Sequence, residues 1–257
     1  MLFLHGFMGC GADWEPIARA LSRDFYCLAP DLPGHGESDL TGITTGNAFD
    51  ETAAAIVDLL TARDITDAIL LGYSMGGRIG WYTALKYPDW FTTLILESAS
   101  PGLKTAEERT TRLETDQQRA EAMRSGDFRD FLDRWYHQPL FQSMARQPEK
   151  LAALKEYRLI QSPNTLATAL NYFSVARQPG LWDLSRALLV PVLLIVGEFD
   201  EKYRGIAGEV AATCLRRANV RVLPQVGHNT HWETPQQFIQ AVETFIETEV
   251  KPSRRLL

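Results

Sequence analysis

Ser74 sits in Gly72-Tyr73-Ser74-Met75-Gly76-Gly77, where the apolar run Ala68-Ile69-Leu70-Leu71 gives way to a helical segment that stops near Pro88. Glycines flanking a serine permit a turn tight enough to lift its hydroxyl above a sheet, and the start of the next helix favours negative charge nearby. This is the context of a nucleophile, and a serine nucleophile needs a base. The chain has five histidines. His5 belongs to a first glycine turn, His5-Gly6-Phe7-Met8-Gly9, His35 to Pro33-Gly34-His35-Gly36-Glu37-Ser38, and His137 to a helical stretch. His228, in Val226-Gly227-His228-Asn229, follows the last strand, on the rim where loops beyond strand carboxyl ends gather. It is therefore the candidate base. His231 is its competitor, although a structural role at the start of the last helix suits that residue better. The base needs an orienting carboxylate, and Glu198 and Asp200 both lie just beyond the preceding strand. The backbone N–H groups of Phe7 and Met75 are the candidate oxyanion hole, with His5 bracing the loops around them.

These residues require a sheet to carry them. Apolar runs predict strands at residues 2–4, 25–29, 68–71, 93–97, 191–196 and 220–223. Helical spacing predicts a helix carrying Trp14, Ile17, Ala18 and Leu21, others over 50–62 and 205–217, and a closing helix with Phe238, Val242, Phe245 and Ile246 on one stripe. Strands alternating with helices predict a parallel sheet covered on both faces. The alternation breaks over residues 98–185, where helices are expected near 106–123, 128–135, 148–159 and 165–174 but no strand. The expectation is an α/β core formed by residues 1–97 and 186–257, with 98–185 inserted as a helical cap. A serine, then a carboxylate, then a histidine is the chain order an α/β-hydrolase fold shows. A net charge of −6 over 257 residues argues against a general nucleic-acid or anionic-membrane binder. The longest apolar run, 187–197, is interrupted by Pro191 and is too short to span a bilayer. No secretory leader is expected. Three cysteines without CxxC spacing suggest reduced thiols and a cytoplasmic protein. No metal-ligand spacing or phosphate loop stands out, so no cofactor is expected.

Longer motifs narrow the field. The opening HGFMG, GYSMGGR from Gly72 to Arg78, Gly102-Leu103 and Trp135-Tyr136 before Gln138-Pro139 precede GEFDEKY from Gly197 and GHNTHWETP from Gly227. Together the chain resembles, over nearly its whole length, the 2-succinyl-6-hydroxy-2,4-cyclohexadiene-1-carboxylate synthase family of menaquinone and phylloquinone biosynthesis. The resemblance implies a cofactor-free lyase that eliminates pyruvate from a substrate bearing three carboxylates. It favours Asp200 over Glu198 as the orienting acid. It also implies substrate contacts from Tyr73, Arg78, Arg112, Trp135 and Arg158. Arginine suits the role because its planar fork pairs with carboxylates in a bidentate way. Arg109, one helical turn before Arg112, is expected to face solvent. A carboxylester or carbon–carbon-bond hydrolase is the competing reading on the same residues, and a ligand-sensing receptor is a more distant one. The resemblance departs at the start, where the family has two further strands before the HGF segment, so that it implies a sheet of about six strands here, in the order 2-1-3-4-5-6 and all parallel. Either a start assigned too late or a shorter protein accounts for this, and residues 25–29 are then expected to form an open sheet edge.

Overall fold

The computed structural model describes residues 1–250; residues 251–257, included in the expected core, lie outside the described residues. Five strands, β1 (Leu2–Leu4), β2 (Ala68–Tyr73), β3 (Phe91–Glu97), β4 (Val192–Gly197) and β5 (Ala218–Leu223), form one parallel sheet in chain order. Every residue of β2 is buried, as a strand covered on both faces requires. Side chains alternate between two apolar layers. Leu4, Leu70, Leu94 and Leu194 pack with residues of α2 (Ala48–Thr61), α3 (Met75–Lys86) and α8 (Glu201–Thr213). Phe3, Leu71, Ile95 and Ile195 pack with α1 (Glu15–Leu21) and α10 (Pro235–Phe245).

The sheet has five strands where about six were expected. Residues 25–29 run beside β1, but only Leu28 bridges to Leu2. The bridge rests on Phe3 N–H to the Leu28 carbonyl at 2.8 Å and Leu28 N–H to the Met1 carbonyl at 2.9 Å. A three-residue β1 gives its neighbour little to pair with, and Tyr26 in the middle of that run is 63% exposed. The expected neighbour relation survives as a stub on the outer side of β1. After it the chain crosses to the opposite face through α2 and enters the sheet on the inner side of β1. The strand order thus reverses at β1 and β2, and crevices for ligands open beyond such a reversal.

Between β3 and β4 lie four helices, α4 (Ala106–Ser125), α5 (Phe128–Tyr136), α6 (Pro148–Arg158) and α7 (Pro163–Tyr172). A Thr105–Glu108 capping box starts α4, and the Ser162 hydroxyl caps α7. These helices share a third apolar cluster that includes Met123, Phe131, Leu154 and Leu166. Met8, beyond β1, and Trp232, beyond β5, join it, which sets the layer over the carboxyl ends of the strands. Pro139–Arg146 forms a 3-10 helix between α5 and α6, an element too short for periodicity to signal. α8 begins at Glu201 rather than at Gly205, because Asp200 caps it through the Tyr203 N–H.

Candidate active site

β2 ends in a sharp turn whose apex is Ser74, at φ 50° and ψ −108°. A non-glycine residue in this region is strained and persists only where its surroundings hold it. Here the Ser74 N–H donates to the Glu97 carbonyl at 2.9 Å, and the Ser74 carbonyl accepts the Arg78 N–H at 3.0 Å. Met8 and Ser98, in the turns beyond β1 and β3, also have positive φ. Gly76 brings α3 against β1 so closely that a Cβ would stand 2.3 Å from the Leu4 carbonyl oxygen.

The structure brings Ser74, His228 and Asp200 within hydrogen-bond reach. His228 Nε2 lies 3.2 Å from Ser74 Oγ, and His228 Nδ1 lies 2.7 Å from Asp200 Oδ2. Asp200 and His228 are buried, and Phe141 and Tyr203 pack their rings on the imidazole. Glu198 instead accepts the Gln225 N–H at 2.8 Å, so it serves its own loop. His5 bridges two loops, with Nδ1 donating to the Gly6 carbonyl at 2.8 Å and Nε2 accepting the Leu32 N–H at 2.9 Å. Burial lowers its pKa and keeps the ring neutral, as that pairing requires. Phe7 and Met75 line the cavity beside Ser74, one beyond β1 and one opening α3.

That cavity has a volume of about 280 Å³. Tyr73, Trp135, Phe173 and Tyr203 supply apolar wall, and Arg78, Arg112, Arg119 and Lys202 supply positive charge. No carboxylate lines it among the described residues. Arg78 donates to the Phe173 carbonyl at 2.8 Å and to Gln178 at 3.2 Å, so its charge has no anionic partner there. Burial, and then the charge of Arg112, lower its pKa to about 10. The same two causes lower that of Lys202. Behind the wall, fully buried Asp116 holds two of the arginines of α4, Arg112 and Arg119. It accepts Arg112 Nε on both oxygens at 2.8 Å, Arg119 Nη1 at 3.2 Å and the Ser174 hydroxyl at 2.7 Å.

Four of the five expected substrate contacts, Tyr73, Arg78, Arg112 and Trp135, line this cavity. Arg158 does not. It lies in an adjoining chamber of about 50 Å³, where Asp13 takes its fork at 2.8 and 2.6 Å. Arg109 turns inward, contrary to expectation, and donates to the carbonyls of Leu103 and Gln178 at 2.7 and 2.8 Å. Sequence reasoning missed Arg119 and Lys202. Arg112, Asp116 and Arg119 follow i, i+4, i+7 spacing on one face of α4, a signal that was there to be read. Lys202 stands two residues beyond Asp200, in the first turn of α8. Among the described residues no cluster suited to a metal ion occurs, and no helix is long and apolar enough to cross a membrane.

A strained serine on a strand-to-helix turn, a histidine and a carboxylate from later rim loops, and a parallel sheet between helices define a class. The chain belongs to the alpha/beta hydrolase fold family, which matches residues 1–235. Within it, the chain is 33% identical to the 2-succinyl-6-hydroxy-2,4-cyclohexadiene-1-carboxylate synthase of Enterobacter sp. (strain 638), covering 98% of this chain and 93% of that one. It is also 33% identical to the synthase of the same name from Escherichia coli O1:K1 / APEC, over 94% of this chain and 91% of the relative. Among solved structures, MenH from S. aureus superposes with a TM-score of 0.91 at 31% identity, covering 96% of this chain and 93% of that one. These relatives bear out the resemblance carried by the sequence motifs.

Proposed function

We propose that this protein is a 2-succinyl-6-hydroxy-2,4-cyclohexadiene-1-carboxylate synthase, a lyase of menaquinone biosynthesis. The observation that carries the reading is a cavity with Ser74 and His228 in its lining together with four cationic side chains but, among the described residues, no carboxylate. Such a lining favours a small polycarboxylate over a neutral ester.

In this reading His228 takes the Ser74 proton, Asp200 holds the imidazole by Nδ1, and the Ser74 oxygen removes the ring proton next to the succinyl ketone. The N–H groups of Phe7 and Met75 stabilise the enolate oxygen that develops. The electron pair passes through the ring double bond and breaks the carbon–oxygen bond to the enolpyruvyl group. The departing enolate takes up a proton at carbon to become pyruvate, and no water is consumed. Arg78, Arg112, Arg119 and Lys202 hold the carboxylates and fix the ring for proton removal rather than acyl attack. Residues 98–185 serve as a cap that closes this cavity over the core. Arg158, paired with Asp13, acts as a structural member of the cap rather than as a substrate contact. A cytoplasmic location goes with the pathway and with a small polar substrate.

The test is pyruvate release from 2-succinyl-5-enolpyruvyl-6-hydroxy-3-cyclohexene-1-carboxylate, measured beside cleavage of p-nitrophenyl esters. Rapid pyruvate release with feeble ester cleavage is expected. Brisk ester hydrolysis through an acyl-Ser74 adduct, with no pyruvate, would replace the lyase by a hydrolase.

A further inference from the structure

The mechanism above leaves a second buried histidine–carboxylate pair unused. Glu97 ends β3 and is 0% exposed. Its Oε1 accepts the Thr230 hydroxyl at 2.7 Å and the His231 N–H at 3.0 Å, while Oε2 pairs with His231 Nδ1 at 2.6 Å. The backbone carbonyl of the same residue accepts the Ser74 N–H. Glu97 therefore touches both the serine turn and α9 (Thr230–Glu233), which starts two residues after His228. The His231 ring is sandwiched in turn. It stacks on Trp14 at 4.1 Å and meets Tyr73 edge-on at 5.0 Å, and Tyr73 lies 5.5 Å from the His228 ring.

Burying a carboxylate is costly, and removing its partners strands it, so this pair is an expensive way merely to fill space. It does, however, tie the turn that carries Ser74 to the segment that follows His228. Serine and histidine come from segments 154 residues apart, and an error of about 1 Å between reacting groups can cost about 100-fold in rate. We infer that Glu97 and His231 are positioning residues that hold the His228 loop in register with Ser74. The inference rests on the reading of Ser74 and His228 as nucleophile and base, not on the identity of the substrate.

The test therefore uses a probe that ignores the natural substrate. With a fluorophosphonate, the Ser74 oxygen bonds to phosphorus, fluoride leaves and the serine proton passes to His228. His231→Phe keeps a ring between Trp14 and Tyr73 but loses the Nδ1 donor. Its labelling rate at saturating probe should fall about 100-fold, with the probe concentration for half-saturation changed by less than about threefold. His231→Asn retains an N–H that can reach Glu97 and should recover labelling to within about tenfold of the wild type. A folded His231→Phe that labels within about threefold of the wild type, or equal losses in the Phe and Asn variants, would overturn the inference. Should His231→Phe fail to fold, Thr230→Val removes one donor to Glu97; a fall of about tenfold supports the inference, and a rate within about twofold overturns it. Wild-type protein that labels at Ser74 but releases no pyruvate would sink the synthase reading and leave this inference standing. Wild-type protein that does not label at Ser74 would sink the inference itself.

Discussion

Ser74 and Arg78 lie one helical turn apart, and their roles separate cleanly under mutation. Ser74→Ala should abolish turnover while product binding, followed by calorimetry, stays near wild type. Retention of most activity would remove Ser74 from the mechanism. Arg78→Ala takes away a cation that, among the described residues, no carboxylate in the cavity neutralises. A buried charge-assisted hydrogen bond is worth ~1.5–3 kcal/mol, so kcat/KM should fall ~10- to 150-fold with little change in Tm. Arg158→Ala should behave in the opposite manner, losing stability first. Breaking a buried pair costs about 3–5 kcal/mol, because the stranded partner, here Asp13, loses its counter-charge. The pH dependence follows from the same pair. Burial raises the Asp13 pKa, but Arg158, with smaller contributions from His5 and His231, outweighs it, and the net shift is downward. A depressed carboxylate pKa contributes stability that is complete above the ordinary carboxylate range and is lost as pH falls through the lower folded value. Wild-type Tm should therefore decline into that acidic range, and Arg158→Ala should show a shallower decline there. Parallel acid limbs in thermal melts would refute this account.

At the scale of elements, the junction of β1 and α3 fixes the site most tightly. In Gly76→Ala the new methyl would meet the backbone oxygens of Leu4 and His5 at 2.3 and 2.4 Å, and backbone cannot swing aside as a side chain can. The overpacking should cost about 1–3 kcal/mol, and the displaced turn about 100-fold in kcat. A variant with native kcat would mean that α3 can shift without disturbing Ser74. Much of this frame was legible beforehand. The apolar runs of β2, β3 and β4 are buried on both faces and read as strands without a partner in view. Helices α4 to α7 form where segments near 106–123, 128–135, 148–159 and 165–174 were expected, with ends shifted by at most two residues. Residues 25–29 misled because their composition is strand-like, whereas pairing depends on the length of β1 beside them. Lys202 was hidden because its position depends on where α8 begins, which the Asp200 side chain sets. The fate of Arg158 depends on Asp13, 145 residues away, and no local spacing encodes that distance.

For the whole molecule, the net charge of −6 and the cationic cavity oppose each other. A polyanionic substrate is repelled by the surface at large and drawn in only near the mouth, so the attraction is short-ranged and screened by salt. kcat/KM should fall as sodium chloride rises from about 0.01 to 0.3 M, where the screening length shortens from about 30 Å to well under 10 Å. Arg78→Gln should flatten that slope, and a wild-type rate indifferent to salt would refute the field argument. Asp116, shared between Arg112 and Arg119, carries this further. One fixed anion between two fixed cations makes the cavity a miniature ion-exchange resin whose remaining counter-ion must come from solution. Selectivity in a resin rises with the valence of the exchanging ion, so acetate, succinate and citrate should compete with substrate in that ascending order. The substrate itself would then enter by displacing a resident ion, and the buffer chosen for an assay would become one of the reactants.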